Sequence, residues 1–182
     1  TVYGVRLLQA LRGTDVETHL VMSRWAARTL VHETDLTVEA VRRLATRSYP
    51  ENDQGAAPSS GSFLGLGMVV APCSIKTASA VAYCRSDTLI ARAADVTLKE
   101  GRPLVMLVRE TPLHAGHLKS MYDLSLYGAV ILPPVPAFYH LPRTIDDLVD
   151  HSVGKALDQL GIEHELFRRW TGPLPEEERK RR

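Results

Sequence analysis

The run 103-PLVMLV-108 carries no polar residue and stands between two helical patterns. A strand that is apolar at every position is buried on both faces, which is the mark of a parallel sheet covered by helices on either side. The runs 67-GMVVAP-72 and 128-GAVILP-133 repeat the feature, and 16-VETHLVMS-23 is a fourth strand candidate. Each is followed by a polar or Pro-containing break and then by helical periodicity, over 24–33, 74–83, 114–128 and 144–161, with further helices expected over 4–13, 37–46 and 86–100. The alternation predicts a doubly wound, Rossmann-like three-layer α/β/α sandwich with a mainly parallel sheet.

A chain of 182 residues, 45% of them hydrophobic, is long enough to bury one sizeable core, so residues 1–163 are expected to form a single domain. Residues 164–182 read as a tail: 173-PLPEEERKRR-182 is charged, whereas 164-HELFRRW-170 has apolar surface to dock, and a neighbouring subunit is its expected seat. The stretch 49-YPENDQGAAPSSGSF-63 reads as a long loop of the kind that is usually functional. Folds of this class normally begin with a central strand and a Gly-rich turn, but 1-TVYGVRLLQAL-11 is already entering a helix, so a first strand is expected to be missing from the chain.

The net charge of +1 predicts no general attraction to nucleic acid or to an anionic membrane, and the apolar runs are too short to span a bilayer. Cys73 and Cys84 do not make a disulfide framework, and no zinc-ligand spacing is present, so no metal is expected and a reducing cytoplasm is the expected location.

Ligands of open α/β sheets sit at the carboxyl ends of the strands, where helix N-termini supply free N–H donors. Those positions hold Ser23, 72-PCSIKT-77, 109-RETP-112 and 133-PPVPAFYH-140. Ser74 and Thr77 fit a helix cap, or hydroxyl donors to a flavin or nucleotide on the same N–H groups. Arg109 and Glu110 fit a surface ion pair as well as a site, and Tyr139 fits a packing role. Cys73 at a strand end has no histidine beside it in sequence, which favours an unreactive buried thiol over a nucleophile. His114 and His117, three apart on a helix, fit a metal site less well than a solvated or capping role.

Charges at both ends of the 103–108 strand, Arg92, Lys99 and Glu100 before it and Arg109 and Glu110 after it, have no packing rationale. The strings 68-MVVAPCSIKTASAVA-82, 92-RAADVTLKEGRPLVMLVRETPL-113 and 128-GAVILPPVPAFYHLP-142 give them one. In order and spacing they resemble the UbiX-type flavin prenyltransferases, nearest to the B subunit of non-oxidative hydroxyarylic (phenolic) acid decarboxylases. The resemblance runs from Thr1 to about Ile162. It implies a flavoprotein-type fold and transfer of a dimethylallyl group from dimethylallyl monophosphate to N5 and C6 of reduced FMN, without a metal. The prenylated FMN would then serve a UbiD-type aromatic acid decarboxylase.

By the same resemblance, Ser23, Ser74, Thr77 and Arg109 match FMN-binding positions. Arg92 and Lys99 match cations that neutralise the leaving phosphate, and Glu33 and Glu110 match acidic residues of the pocket. Tyr139 and Lys155 match residues that grip the prenyl phosphate, with Lys155 standing where the nearest subgroup has Arg. Two alternatives stay open: an FMN-dependent decarboxylase of the same superfamily, and a non-catalytic flavin-binding subunit of a decarboxylase complex. The broad apolar arc of helix 114–128 predicts a symmetric homo-oligomer. The resemblance implies a dodecamer in which neighbouring chains complete each pocket.

Overall fold

The computed structural model describes residues 1–170 and 172. In chain order the elements are α1 (Val2–Leu11), β1 (His19–Val21), α2 (Arg24–Glu33), α3 (Val38–Arg42), β2 (Arg47–Tyr49), a 3-10 turn (Ala57–Ser59), β3 (Met68–Cys73), α4 (Ile75–Ala82), α5 (Leu89–Lys99), β4 (Leu104–Val108), α6 (Ala115–Leu126), β5 (Ala129–Ile131) and α7 (Ile145–Gln159). All strand pairs are parallel. Their ladders form a β1–β2 pair and a β3–β4–β5 triple, and among the described residues none joins β1 to β3.

β4 shows why the sheet is covered twice. All five of its residues are buried. Leu104, Met106 and Val108 point into a cluster with Ala78 and Val81 of α4, Ala91 and Ala94 of α5 and Leu124 of α6. Val105 and Leu107 alternate to the other face, where Tyr3 of α1 and Ala156 of α7 meet them. Each such side chain contributes about 1.5–3 kcal/mol of burial, so the uninterrupted apolar run is the sequence of a strand with two cores. A third cluster packs Val5 and Leu8 of α1 against Leu30 of α2 and Val41 of α3.

The expected strands and helices are present within a few residues of their predicted bounds. β2 is an addition. Its three residues are mostly exposed and carry no apolar alternation. It is a strand because its backbone pairs with β1, His19 opposite Arg47 and Val21 opposite Tyr49. Thr18 and Thr46 lock the entry to that ladder, each backbone N–H donating to the other's hydroxyl at 3.0 Å.

The 164–170 segment, expected to seek a neighbouring subunit, seats on α7 of its own chain. Leu166 joins the cluster of Val149, Val153 and Leu157, and Phe167 packs on His151 with ring centroids 4.8 Å apart. Gly154 makes the space, since a Cβ there would lie 2.5 Å from both His164 and Phe167. Asp158 anchors the segment by accepting from Arg169 at 2.7 Å and pairing with His164 at 3.2 Å. The hydrogen bond from Arg169 outweighs partial burial and holds the Asp158 carboxyl below its usual pKa. Residues 173–182 of the expected tail lie outside the described residues.

α6 keeps Leu124 and Ser120 inward, but Leu118, Tyr122 and Leu126, spaced four apart, form an exposed apolar stripe with Tyr127 beside it. Among the described residues no helix is long and apolar enough to cross a membrane.

Candidate active site

Parallel pairing aligns the carboxyl ends of β1 and β2, and likewise those of β3, β4 and β5, and one cleft receives residues that follow β1, β3 and β4. Ser23 follows β1 and caps α2, its hydroxyl accepting from the Ala26 N–H at 3.0 Å. Ser74 follows β3 and caps α4, accepting from the Thr77 N–H at 3.2 Å and lying 3.1 Å from the Thr77 hydroxyl. Arg109 follows β4, fixed by its backbone N–H donating to the Cys73 carbonyl at 3.0 Å. Ser23, Ser74, Thr77 and Arg109 all line one cleft of about 1100 Å³. The cleft continues down between β1 and β3, past Val21 and Val69. Two helix N-termini therefore open on the same space as a guanidinium, an arrangement that suits an anionic ligand.

Glu33, the last residue of α2, lies beside the backbone nitrogen of Thr1 at the start of α1. Tyr3 shares the neighbourhood: burial raises its phenol, with Arg109 pulling it down and Glu33 pushing it up. Glu33, Tyr3 and Arg109 thus form one electrostatic group. Glu110 is exposed, next to Arg109 on the 109–112 turn.

Arg92 and Lys99 are elsewhere in the chain. α5 runs back against the strands, so Lys99, its last residue, lies toward the amino end of β4, five residues of strand away from Arg109. The two cations brace the 59–63 loop. Arg92 donates to the Ser59 carbonyl and pairs with Asp95, both at 3.2 Å. Lys99 pairs with Glu100 against Gly61, and Arg102 donates to the Gly61 and Phe63 carbonyls. The loop presents Ser60 and Ser62, hydroxyls 2.9 Å apart, beside these cations. The Ser23–Ser74–Arg109 cleft borders this patch, being lined also by Ala57, Phe63, Ala91 and Arg102, although neither Arg92 nor Lys99 is among its lining residues. Tyr139 and Lys155 form a third patch with α7: Tyr139 bonds His151 at 2.9 Å, and Lys155 pairs with Asp158 at 3.5 Å.

Cys73 is fully buried, its thiol pushed up to about 12 by desolvation, which leaves no thiolate for nucleophilic attack at neutral pH. His114 caps α6 by accepting from the Gly116 N–H at 3.1 Å, with the His117 ring 3.5 Å away. Trp25 and Lys76 are among the cleft-lining residues that escaped the sequence reading. Each stands two positions after a capping serine, and that spacing from Ser23 and Ser74 was the available signal.

A family model described as Flavoprotein matches residues 1–156. The flavin prenyltransferase UbiX of Escherichia coli strain K12 is 55% identical over 174 residues, covering 94% of this chain and 92% of that protein. The chain belongs to the UbiX flavin prenyltransferase family. Among solved structures, a dodecameric FMN-dependent UbiX-like decarboxylase from Escherichia coli O157:H7 superposes with a TM-score of 0.92 at 51% identity, over 94% of this chain and 93% of that one. AnUbiX, solved in complex with FMN and dimethylallyl pyrophosphate, gives 0.93 at 49% identity over 95% and 92%. Family membership accounts for the flavoprotein-type fold.

Proposed function

We propose that this chain is a flavin prenyltransferase that joins the dimethylallyl group of dimethylallyl monophosphate to N5 and C6 of reduced FMN. The observation that carries the reading is the common cleft of Ser23, Ser74, Thr77 and Arg109, in a chain half identical to UbiX relatives. The cleft suits the cofactor in chemistry. The hydroxyls and N–H groups at the starts of α2 and α4 suit its polar and phosphate oxygens, and Arg109 suits the electron-rich pyrimidine end of the flavin. Bound and reduced, FMN supplies the nucleophilic ring atoms.

The residues of this chain then have separate tasks. Glu33 and Glu110 flank Arg109 and serve to hold or pass protons beside the flavin. Arg92 and Lys99 neutralise the departing phosphate, and Tyr139 with Lys155 orient it. Because Lys99 lies at the far end of the strands, it serves the pocket of a neighbouring chain in a homo-oligomer, whereas Arg92, in the first turn of α5, stands nearer the cleft of its own chain. The exposed α6 stripe is the surface that such an assembly would cover, and the likeness to a dodecameric relative supports a dodecamer. The product is destined for a UbiD-type decarboxylase.

The test is transfer of function. Protein, reduced FMN and dimethylallyl monophosphate are incubated without oxygen, and the filtrate is given to a cofactor-free UbiD-type decarboxylase. Decarboxylation that requires both the protein and the prenyl phosphate is the expected result. A filtrate no better than FMN alone would refute the proposal.

A further inference from the structure

Away from the cleft, the loop after β5, the middle of α7 and the 164–170 segment enclose a cluster of aromatic and ionisable side chains. His151 is at its centre, 9% exposed. Its Nε2 lies 2.9 Å from the Tyr139 hydroxyl. The His140 ring stacks over it, centroids 4.8 Å apart and planes within 6° of parallel, with both His140 nitrogens buried and unpartnered among the described residues. Phe167 closes against His151 at 4.8 Å, and Trp170 meets the Tyr139 ring edge-on at 6.1 Å. Tyr139 itself is 53% exposed, so its hydroxyl is anchored inside while its ring stands at the surface.

We propose that His151 is a positioning residue for prenyl transfer, which turns the Tyr139 hydroxyl into a hydrogen-bond donor for the prenyl phosphate by itself donating from Nε2 to the Tyr139 oxygen. This rests on the reading of Tyr139 and Lys155 as the phosphate grip. A tyrosine hydroxyl has one hydrogen, so it can give that hydrogen to phosphate only if its bond to His151 runs the other way, with Nε2 protonated. With Nε2 bare, the hydroxyl donates inward and presents lone pairs to the anion, which repels it. The direction of one 2.9 Å hydrogen bond therefore decides whether Tyr139 attracts or repels phosphate.

The surroundings make that direction sensitive to pH. His151 bonds Tyr139 and stacks on His140 of the loop; along its own helix Lys155 pairs with Asp158, which also holds His164 and Arg169, and the adjacent Asp150 is tied to Arg6 of α1. Burial, His140 and Lys155 press the imidazole below its usual pKa, and Asp158 pulls it up. A phosphate arriving at Tyr139 and Lys155 adds negative charge and favours the form with Nε2 protonated. Phosphate binding and a hydrogen on Nε2 thus reinforce each other; the neutral ring reaches that state as one of its two tautomers, and the imidazolium that forms at lower pH always holds it.

The experiment measures kcat and KM for dimethylallyl monophosphate on the intact protein, from about pH 5.5 to 8.5. The parent is compared with Tyr139→Phe, His151→Phe, His151→Gln and the Tyr139→Phe/His151→Phe pair. Expected is a KM several-fold higher in His151→Phe, roughly the lower end of a lost hydrogen bond because the Tyr139 hydroxyl can still donate but is no longer held in place, with no further loss when it is added to Tyr139→Phe. His151→Gln, whose amide can still donate to the Tyr139 oxygen, should recover most of the affinity and lose the part of the KM–pH profile that the parent shows near and below neutrality. Additive losses in the pair would overturn the proposal, because His151 would then be acting apart from Tyr139. So would a His151→Gln profile of the same shape as the parent's, which also decides the matter if His151→Phe fails to fold. An unimpaired Tyr139→Phe would overturn the phosphate-grip reading along with it, whereas an impaired Tyr139→Phe beside a normal His151→Phe would overturn this inference alone.

Discussion

Lys99→Ala separates a pocket built by one chain from a pocket shared by two. β4 spans five residues between the Lys99 end of α5 and Arg109, which is about 17 Å at strand rise. A unit charge acting over that distance is worth about 0.2–1 kcal/mol before screening, and physiological salt reduces it several-fold. Acting from within its own chain, Lys99 can therefore change the rate at the Arg109 cleft by about twofold at most. Touching the departing phosphate of a neighbouring pocket, it would contribute on the scale of a preorganised transition-state contact, about 10²–10³ in kcat. The fold should hardly notice, because Lys99 is 48% exposed and its pair with Glu100 is on the surface, so the thermal midpoint should stay within about 2 °C. The assay is the rate of prenylated flavin formation by Lys99→Ala, by Glu110→Gln and by oligomers reassembled from an equal mixture of the two. If chains share sites, mixing restores roughly a quarter of them to full composition, each with one variant's intact Lys99 and the other's intact Glu110. Lys99→Ala within twofold of the parent would refute the phosphate role, and a mixture no better than its components would refute the sharing.

Two other substitutions test the cleft and the C-terminal dock. Arg109→Met should weaken FMN binding by about tenfold to a hundredfold, the loss of a hydrogen bond to a charged group; flavin fluorescence titration measures it, and an unchanged Kd would remove Arg109 from the flavin site. Gly154→Ala should destabilise the protein although alanine is the better helix former by about 1 kcal/mol, because its Cβ would meet His164 and Phe167 at 2.5 Å and overpacking costs about 1–3 kcal/mol. Hydrogen exchange should then rise across residues 164–170, and a variant with a higher thermal midpoint and unchanged exchange would contradict the packing described.

What the sequence made legible follows from which interactions leave a pattern. β4 was readable because two cores require apolar side chains at every position, and Ser23, Ser74 and Arg109 because strand ends in this topology are where ligands bind. β2 was not, since 47-RSY-49 is made a strand by its ladder to β1 and by the Thr18–Thr46 exchange, neither of which has a period. The helix expected over 86–100 correctly holds Arg92 and Lys99, but its periodicity says nothing of which end of the sheet each reaches; that comes from α5 running back against β4. The dock of residues 164–170 depends on a missing side chain at Gly154, and the Tyr139–His151 bond joins a loop to a helix twelve residues on. Tertiary contacts of that kind become visible when the chain is folded.

The central claim, that this protein transfers a prenyl group to flavin, is tested most directly by the mass of the flavin it releases. Protein is incubated anaerobically with reduced FMN and dimethylallyl monophosphate, then denatured, and the extracted flavin is weighed by mass spectrometry. The account predicts FMN heavier by one five-carbon prenyl unit, formed only when the protein and the prenyl phosphate are both present. Recovery of unmodified FMN from folded, flavin-loaded protein would contradict it.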